Sequence, residues 1–376
     1  MARSRAAPSL AEVEQFFLGE FEEAAAEIEE SDRIPERLLR TAAELGVHGL
    51  SVPTELGGFG LSLTELQPYL EAAARGPACG RMLVHLSNGI WRPLARYGNP
   101  EEQALLPEMA AGHVTVAFAL TEPVGGTGRD LHSRARVNGR TWSLSGQKHL
   151  VTFGDRADWF LLTAASDDRH SPDSLTSFLV PRAASGLVIQ ADQRTMGLKG
   201  TGHARLLYDE MQLDDRHRLG EVGQGLEVAF SFLDYSRISL AACMVGLARR
   251  ALDESIGFSR KRVTFGRPIA ERESIRGHLA DMHADVAAAR ALVANAAAAF
   301  DRNQPVTVPA ATCKLFCLEM VGRVTDRALR VHGGIGYTTE APIERIYRDA
   351  RGFWFEEGTA EIQRLVIARG LLGMQA

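Results

Sequence analysis

Cysteine is scarce in this chain: Cys79, Cys243, Cys313 and Cys317 are the only four in 376 residues. That excludes a scaffold built on disulfides. Only Cys313 and Cys317 lie close together, and an i,i+4 thiol pair without a histidine makes a poor metal site, so reduced, buried thiols are expected. No charge of one sign dominates either. Lys and Arg total 42 against 47 Asp and Glu, a net charge of −5, which argues against nucleic acid or an anionic membrane as the main partner. No apolar run reads as long enough to span a bilayer. The basic start Met1-Ala2-Arg3-Ser4-Arg5 leads into a Glu-rich stretch rather than an apolar signal core, so a cytoplasmic protein is expected. Internal repeats and low-complexity tracts are missing too. What is present, 45% apolar and 24% charged residues, is the composition of a globular chain with room for one large or two to three ordinary domains.

Three zones differ in periodicity. Residues 1–113 read as a helical domain: Leu10, Val13, Phe17 and Phe21 recur at helical spacing, as do Leu38, Leu39, Ala42 and Leu45. A Gly/Pro loop covers 51–60, and Ser62 or Thr64 is placed to cap the helix after it. Residues 114–222 turn to short β-rich runs, such as Trp159-Phe160-Leu161-Leu162-Thr163, separated by Asn138-Gly139 and Ser145-Gly146 turns. They predict an antiparallel barrel or sandwich. Residues 223–376 are helical again and rich in alanine, with helices predicted over 232–255, 280–301 and 310–331 that suit a bundle. The fold class is therefore α+β and multidomain.

The most informative stretch is Phe353-Trp354-Phe355-Glu356-Glu357-Gly358-Thr359-Ala360-Glu361-Ile362-Gln363-Arg364. A carboxylate among aromatic rings loses hydration, so its pKa is expected to rise. A raised pKa suits a base that takes a proton from carbon near neutral pH. The bland alternative is the first turn of the last helix, where acidic residues suit the helix dipole.

Four further segments stand in order. They are Ala119-Leu120-Thr121-Glu122-Pro123-Val124-Gly125-Gly126-Thr127-Gly128, Gly146-Gln147-Lys148-His149-Leu150-Val151-Thr152, Arg262-Val263-Thr264-Phe265-Gly266-Arg267-Pro268-Ile269 and His332-Gly333-Gly334-Ile335-Gly336-Tyr337. Threonines offer hydroxyl donors, paired glycines permit close backbone approach, and Arg262 suits a charge-assisted bond to an anion. With the carboxylate stretch, these segments resemble the acyl-CoA dehydrogenase family over nearly the whole chain: LTEPxAGSD, GxKxWIT, RxxFGxPI, HGG and EGTxEIQR.

The resemblance implies a C-terminal four-helix bundle, bound FAD, and α,β-dehydrogenation of an acyl thioester carried by CoA or an acyl carrier protein. Glu357 matches the base that takes the α-proton, while hydride leaves the β-carbon for flavin N5. The base's own backbone N–H and a flavin ribityl hydroxyl would hold the enolate oxygen. Phe118, Leu120, Thr121, Thr127, Leu150, Thr152, Arg262, Phe265, Arg330, Gly333, Gly334, Gly358, Thr359 and Glu361 fall at cofactor positions; Thr127, Asp234 and Arg237 fall at substrate positions. Arg262 and Phe265 match residues that reach a neighbouring subunit's flavin, which implies a homodimer or homotetramer. An electron-transfer flavoprotein is the implied external acceptor.

Several positions depart from the pattern. Gly128 replaces the loop aspartate and Leu150 the tryptophan beside the flavin, which leaves the acceptor open. Arg330 and Glu273 replace glutamines, and Glu273 near a pyrophosphate needs a partner such as Arg272. Glu356 stands where tyrosine is common; a second carboxylate would lift the Glu357 pKa further or meet a polar substrate. Ser236 occupies the alternative base position and cannot serve as one. These departures suggest a specialised, biosynthetic member of the family. Two other readings stay open: an oxidase or monooxygenase of the same fold acting on a non-thioester, and a flavin-free subunit that stabilises an active homologue.

Overall fold

The computed structural model describes residues 6–124, 130–166, 174–191 and 194–374. The N-terminal zone is helical as the periodicity predicts. Ser62 caps the Leu63–Ala73 helix and exchanges bonds with Glu65, satisfying two otherwise orphaned N–H groups. The Ala78–Tyr97 helix follows and buries most of its length.

The middle zone holds β1 (Val116–Ala119), β2 (Arg134–Asn138), β3 (Thr141–Val151), β4 (Trp159–Ala165), β5 (Leu175–Pro181), β6 (Leu187–Ala191), β7 (Ala204–Asp214) and β8 (Arg218–Leu219). Their order in one sheet is β6-β7-β3-β2-β4-β5-β8, with β1 beside β4. Most pairs are antiparallel, but β1 runs parallel to β4 with Val116 opposite Trp159, so the sheet is mixed. The register of β3 against β7 slips between Lys148 and Val151. Leu150 sits in that irregularity with φ +52°, and the bulge turns its side chain outward to 44% exposure.

The C-terminal helices run longer than their alanine-rich centres suggest: Leu233–Lys261, Glu273–Asp301 and Thr307–His332, then Ile343–Gly352 and Ala360–Leu371. By length and composition, Gly225–Lys261 would pass as a membrane span, contrary to the sequence reading; its most apolar window is 78% buried inside the fold. Close packing explains that burial. A Cβ on Gly246 would lie 2.2 Å from the Glu71 carbonyl, so only glycine lets this helix touch Leu63–Ala73. Phe17, Phe21 and Leu66 share one apolar core with Ile238, Ala289 and Val321, so the first and last zones are packed as one layer. All four cysteines are buried and free, and no metal-holding cluster occurs among the described residues.

Candidate active site

Glu357 lies in the turn between Ile343–Gly352 and Ala360–Leu371, with φ +53°. A left-handed glutamate is uncommon, and the surroundings account for it. Lys314, buried in the Thr307–His332 helix, donates its ammonium to the carbonyls of Glu356 and Gly358. Gln363 Nε2 donates to the carbonyls of Glu357 and Gly358, each at 3.1 Å. Three consecutive carbonyls are thereby drawn toward the bundle. The Glu357 N–H has no acceptor among the described residues.

The carboxylate itself is 15% exposed and faces the Ala78–Tyr97 and Leu233–Lys261 helices. Ser236 Oγ donates to Glu357 Oε1 at 2.8 Å, and His85 Nε2 lies 3.7 Å from the same oxygen. His85 also meets Ser236 Oγ at 3.2 Å through Nε2 and Ser239 Oγ at 3.1 Å through Nδ1. Next door, Arg81 grips Glu356 with two bonds of 2.7 and 3.0 Å and lies 4.0 Å from the centre of the Phe353 ring.

These partners reverse the expected pKa shift. Burial pushes the Glu357 carboxyl up, but His85, the Ser236 hydroxyl and Lys314 together outweigh it and hold the group below its ordinary value of 4.5. Glu356 does not raise its neighbour either. Burial lifts it, but Arg81, His85 and Lys314 more than compensate, so its charge is already neutralised. For Lys314, burial lowers the amine to about 8 despite both carboxylates nearby.

Of the other predicted residues, Arg237 is close enough to feel the Glu357 charge, and most of the rest are dispersed. Asp234 and Arg237 form an i,i+3 ion pair of 3.2 Å, and Asp234 also accepts from Thr307 at 2.6 Å. Arg237 is 6% exposed and its Nε lacks a partner. Phe118 packs edge-on against Phe232 and Leu120 is buried beside Leu131, so both side chains serve packing within this subunit. The hydroxyls of Thr121 and Thr152 have no partner among the described residues. Gly125, Gly126, Thr127 and Gly128 lie outside the described residues.

Arg262 and Phe265 sit on a projecting hairpin, Phe265 being 94% exposed, while Arg272 bonds Thr264 rather than Glu273. Arg330 is exposed and pairs with Asp326 one turn before it at 2.7 Å. Gly333 and Gly334 lie open, with nothing within 4 Å of an added Cβ. Gly358 is left-handed with φ +89°, Thr359 precedes the last helix as its N-cap, and Glu361 is in that helix's first turn.

Arg81, His85, Lys314 and Gln363 escaped the sequence reading. The available signals were Arg81 and His85 four apart in an otherwise apolar run, and a lone lysine among Ala310, Ala311, Cys313 and Cys317. A cavity of about 510 Å³ lies against the other side of the Ala78–Tyr97 helix, bounded by Arg40, His48, Leu83, Ile90, Phe153 and Arg156; it does not reach the Glu357 turn.

Comparison with known proteins gives this geometry a family. The N-terminal, middle and C-terminal domain models of acyl-CoA dehydrogenase match residues 9–113, 117–211 and 223–372. Over 351 residues the chain is 33% identical to the mitochondrial short-chain specific acyl-CoA dehydrogenase of Homo sapiens, covering 93% of this chain and 85% of that one. The fold matches a solved butyryl-CoA dehydrogenase from Megasphaera elsdenii with TM-score 0.92 and 29% identity, over 96% of this chain and 97% of that one. It also matches a solved prolyl acyl carrier protein oxidase, AnaB, with TM-score 0.89 and 28% identity over the same shares.

The chain belongs to the acyl-CoA dehydrogenase family and is an FAD-dependent oxidoreductase. Its surfaces fit that cofactor. Threonine hydroxyls without a partner among the described residues, an outward Leu150, an exposed Arg262 and the open Gly333-Gly334 step are where a planar ring and an anionic tail find donors and room.

Proposed function

We propose that the protein removes the α- and β-hydrogens of an acyl thioester, with Glu357 taking the α-proton. The observation that carries this reading is a partly open carboxylate held ionised inside the fold, beside its own unpartnered N–H. Bound FAD supplies the acceptor for the β-hydride. Ser236 fixes the carboxylate so that its second oxygen is available to the proton. The Glu357 N–H is a donor for the thioester oxygen as enolate character develops, which lowers the barrier to removing a weakly acidic C–H. Asp234 and Arg237, two residues before and one after Ser236 on the same helix, are proposed as polar substrate contacts; the single pairing of Arg237 leaves donors to spare.

Arg262 and Phe265 are proposed to serve the flavin of a neighbouring copy, because both are exposed to solvent at a short two-stranded hairpin. The protein is then a homo-oligomer. An external electron acceptor of the electron-transfer flavoprotein kind completes turnover. The thioester carrier is CoA or an acyl carrier protein; the relatives named above include both kinds.

Anaerobic titration of the purified yellow protein with acyl-CoA and acyl-carrier-protein thioesters tests the reading. Loss of flavin absorbance with at least one thioester is the expected result. Absence of bleaching across a broad panel, or bleaching by non-thioesters alone, refutes it.

A pH profile tests the role of Ser236. Glu357 is active when ionised and its pKa is depressed, so kcat/KM of the wild type falls only below the ordinary carboxylate range. Ser236→Ala removes a donor to the charged form, and the acid limb is expected to move to higher pH. An unmoved limb would detach Ser236 from the base.

A further inference from the structure

The side chains beside the proposed base form a hydrogen-bonded seam rather than an apolar wall. Arg81 and His85 share one face of the Ala78–Tyr97 helix, one turn apart. Ser236 and Ser239 present hydroxyls from the facing Leu233–Lys261 helix. Ser236 has one proton and gives it to Glu357, so its oxygen accepts from His85, whose Nε2 is therefore an N–H donor. The seam ends on two consecutive, partly open carboxylates, Glu356 at 16% and Glu357 at 15% exposure. Arg81 occupies one site on each Glu356 oxygen, and a carboxylate offers about four. Glu356 thus keeps acceptor capacity one residue from the base.

We infer that the acyl group this enzyme takes carries a hydrogen-bond donor, a hydroxyl or an amino group, a few carbons beyond the thioester, in place of a plain alkyl end. The inference rests on the proposed dehydrogenation, which puts the acyl group at Glu357. A donor there bonds the spare lone pairs of Glu356, while an alkyl chain in the same place strips water from a carboxylate and returns nothing. Sites built to bond a polar group reject analogues lacking it far more strongly than apolar pockets sort by size.

The test compares pentanoyl-CoA, 5-hydroxypentanoyl-CoA and 5-aminopentanoyl-CoA, equal in chain length, by anaerobic stopped-flow reduction of the wild-type holoenzyme. At least one donor-bearing thioester is expected to exceed pentanoyl-CoA by roughly 10-fold or more in rate at limiting substrate. Which of the two wins separates hydroxyl from amine. Glu356→Gln, which replaces one carboxylate oxygen by an amide nitrogen, is expected to narrow that ratio to about 3-fold or less. Glu356→Asp, which keeps a charge opposite Arg81 but shortens the side chain by one carbon, reads the same ratio if the glutamine variant fails to fold; it too should narrow it. Pentanoyl-CoA reacting as fast as both analogues, or faster, overturns the inference and leaves the dehydrogenation intact. Failure of all three, together with longer and branched thioesters, is instead failure of the reading beneath it.

Discussion

Glu357→Gln is expected to give a yellow, folded protein whose flavin no acyl thioester bleaches at a meaningful rate. Positioned general bases contribute on the order of 10²–10⁴-fold, and here the proton sits on carbon, so the loss belongs at the upper end of that range. The substitution is close to isosteric. The amide oxygen still accepts from Ser236, the backbone keeps its φ near +53°, and the carbonyl contacts of Lys314 and Gln363 are untouched. What disappears is the capacity to accept a proton. The absorption spectrum and thermal midpoint should therefore match the wild type, while single-turnover reduction collapses. Reduction at wild-type rate would move the base elsewhere, and among the described residues the adjoining carboxylate is the Arg81-bound Glu356. A colourless variant would instead point to a role for the turn in holding FAD.

Much of this was legible before any coordinates, and the reason is locality. Capping at Ser62, the short apolar run of β4 and the alanine-rich helices depend on neighbours within a few residues, so period and turn chemistry reveal them. The Glu357 turn itself was legible because its aromatic and glycine neighbours are adjacent in sequence. Its partners were not. Arg81 and Glu356 are 275 positions apart, and Ser236 and Glu357 are 121 apart. The pKa direction was misjudged for the same reason: burial can be read from Phe353 and Trp354, but compensation comes from His85, Ser236 and Lys314 on three separate helices. The parallel pairing of β1 with β4 likewise depends on a crossover past β2 and β3 that alternation cannot encode. Ser236 is the instructive case. Excluded as a base by its chemistry, it is the residue that touches the base.

Arg81→Met is expected to destabilise the fold by about 3–5 kcal/mol, the usual cost of leaving one buried ion without its partner. Arg81 is fully buried, Glu356 is 16% exposed, and their two bonds tie the Ala78–Tyr97 helix to the turn that carries Glu357. Removing both charges should be far milder: Arg81→Met with Glu356→Gln is expected to recover at least half of the loss, because buried pairs often contribute little against a neutral replacement. Urea unfolding of the four proteins closes the cycle. The pH dependence supplies an independent check. Glu356 has a depressed pKa in the fold, so the stability it contributes is complete above its ordinary 4.5 and is lost as pH falls through the folded value. The gap between wild type and Arg81→Met should therefore narrow in acid. The single variant should also shift the acid limb of kcat/KM upward, since an unneutralised Glu356 beside Glu357 disfavours a second negative charge. A single variant within about 1 kcal/mol of wild type would mean that the pair holds the turn no better than a surface salt bridge does. Lys314 and Gln363 would then be the groups that shape it.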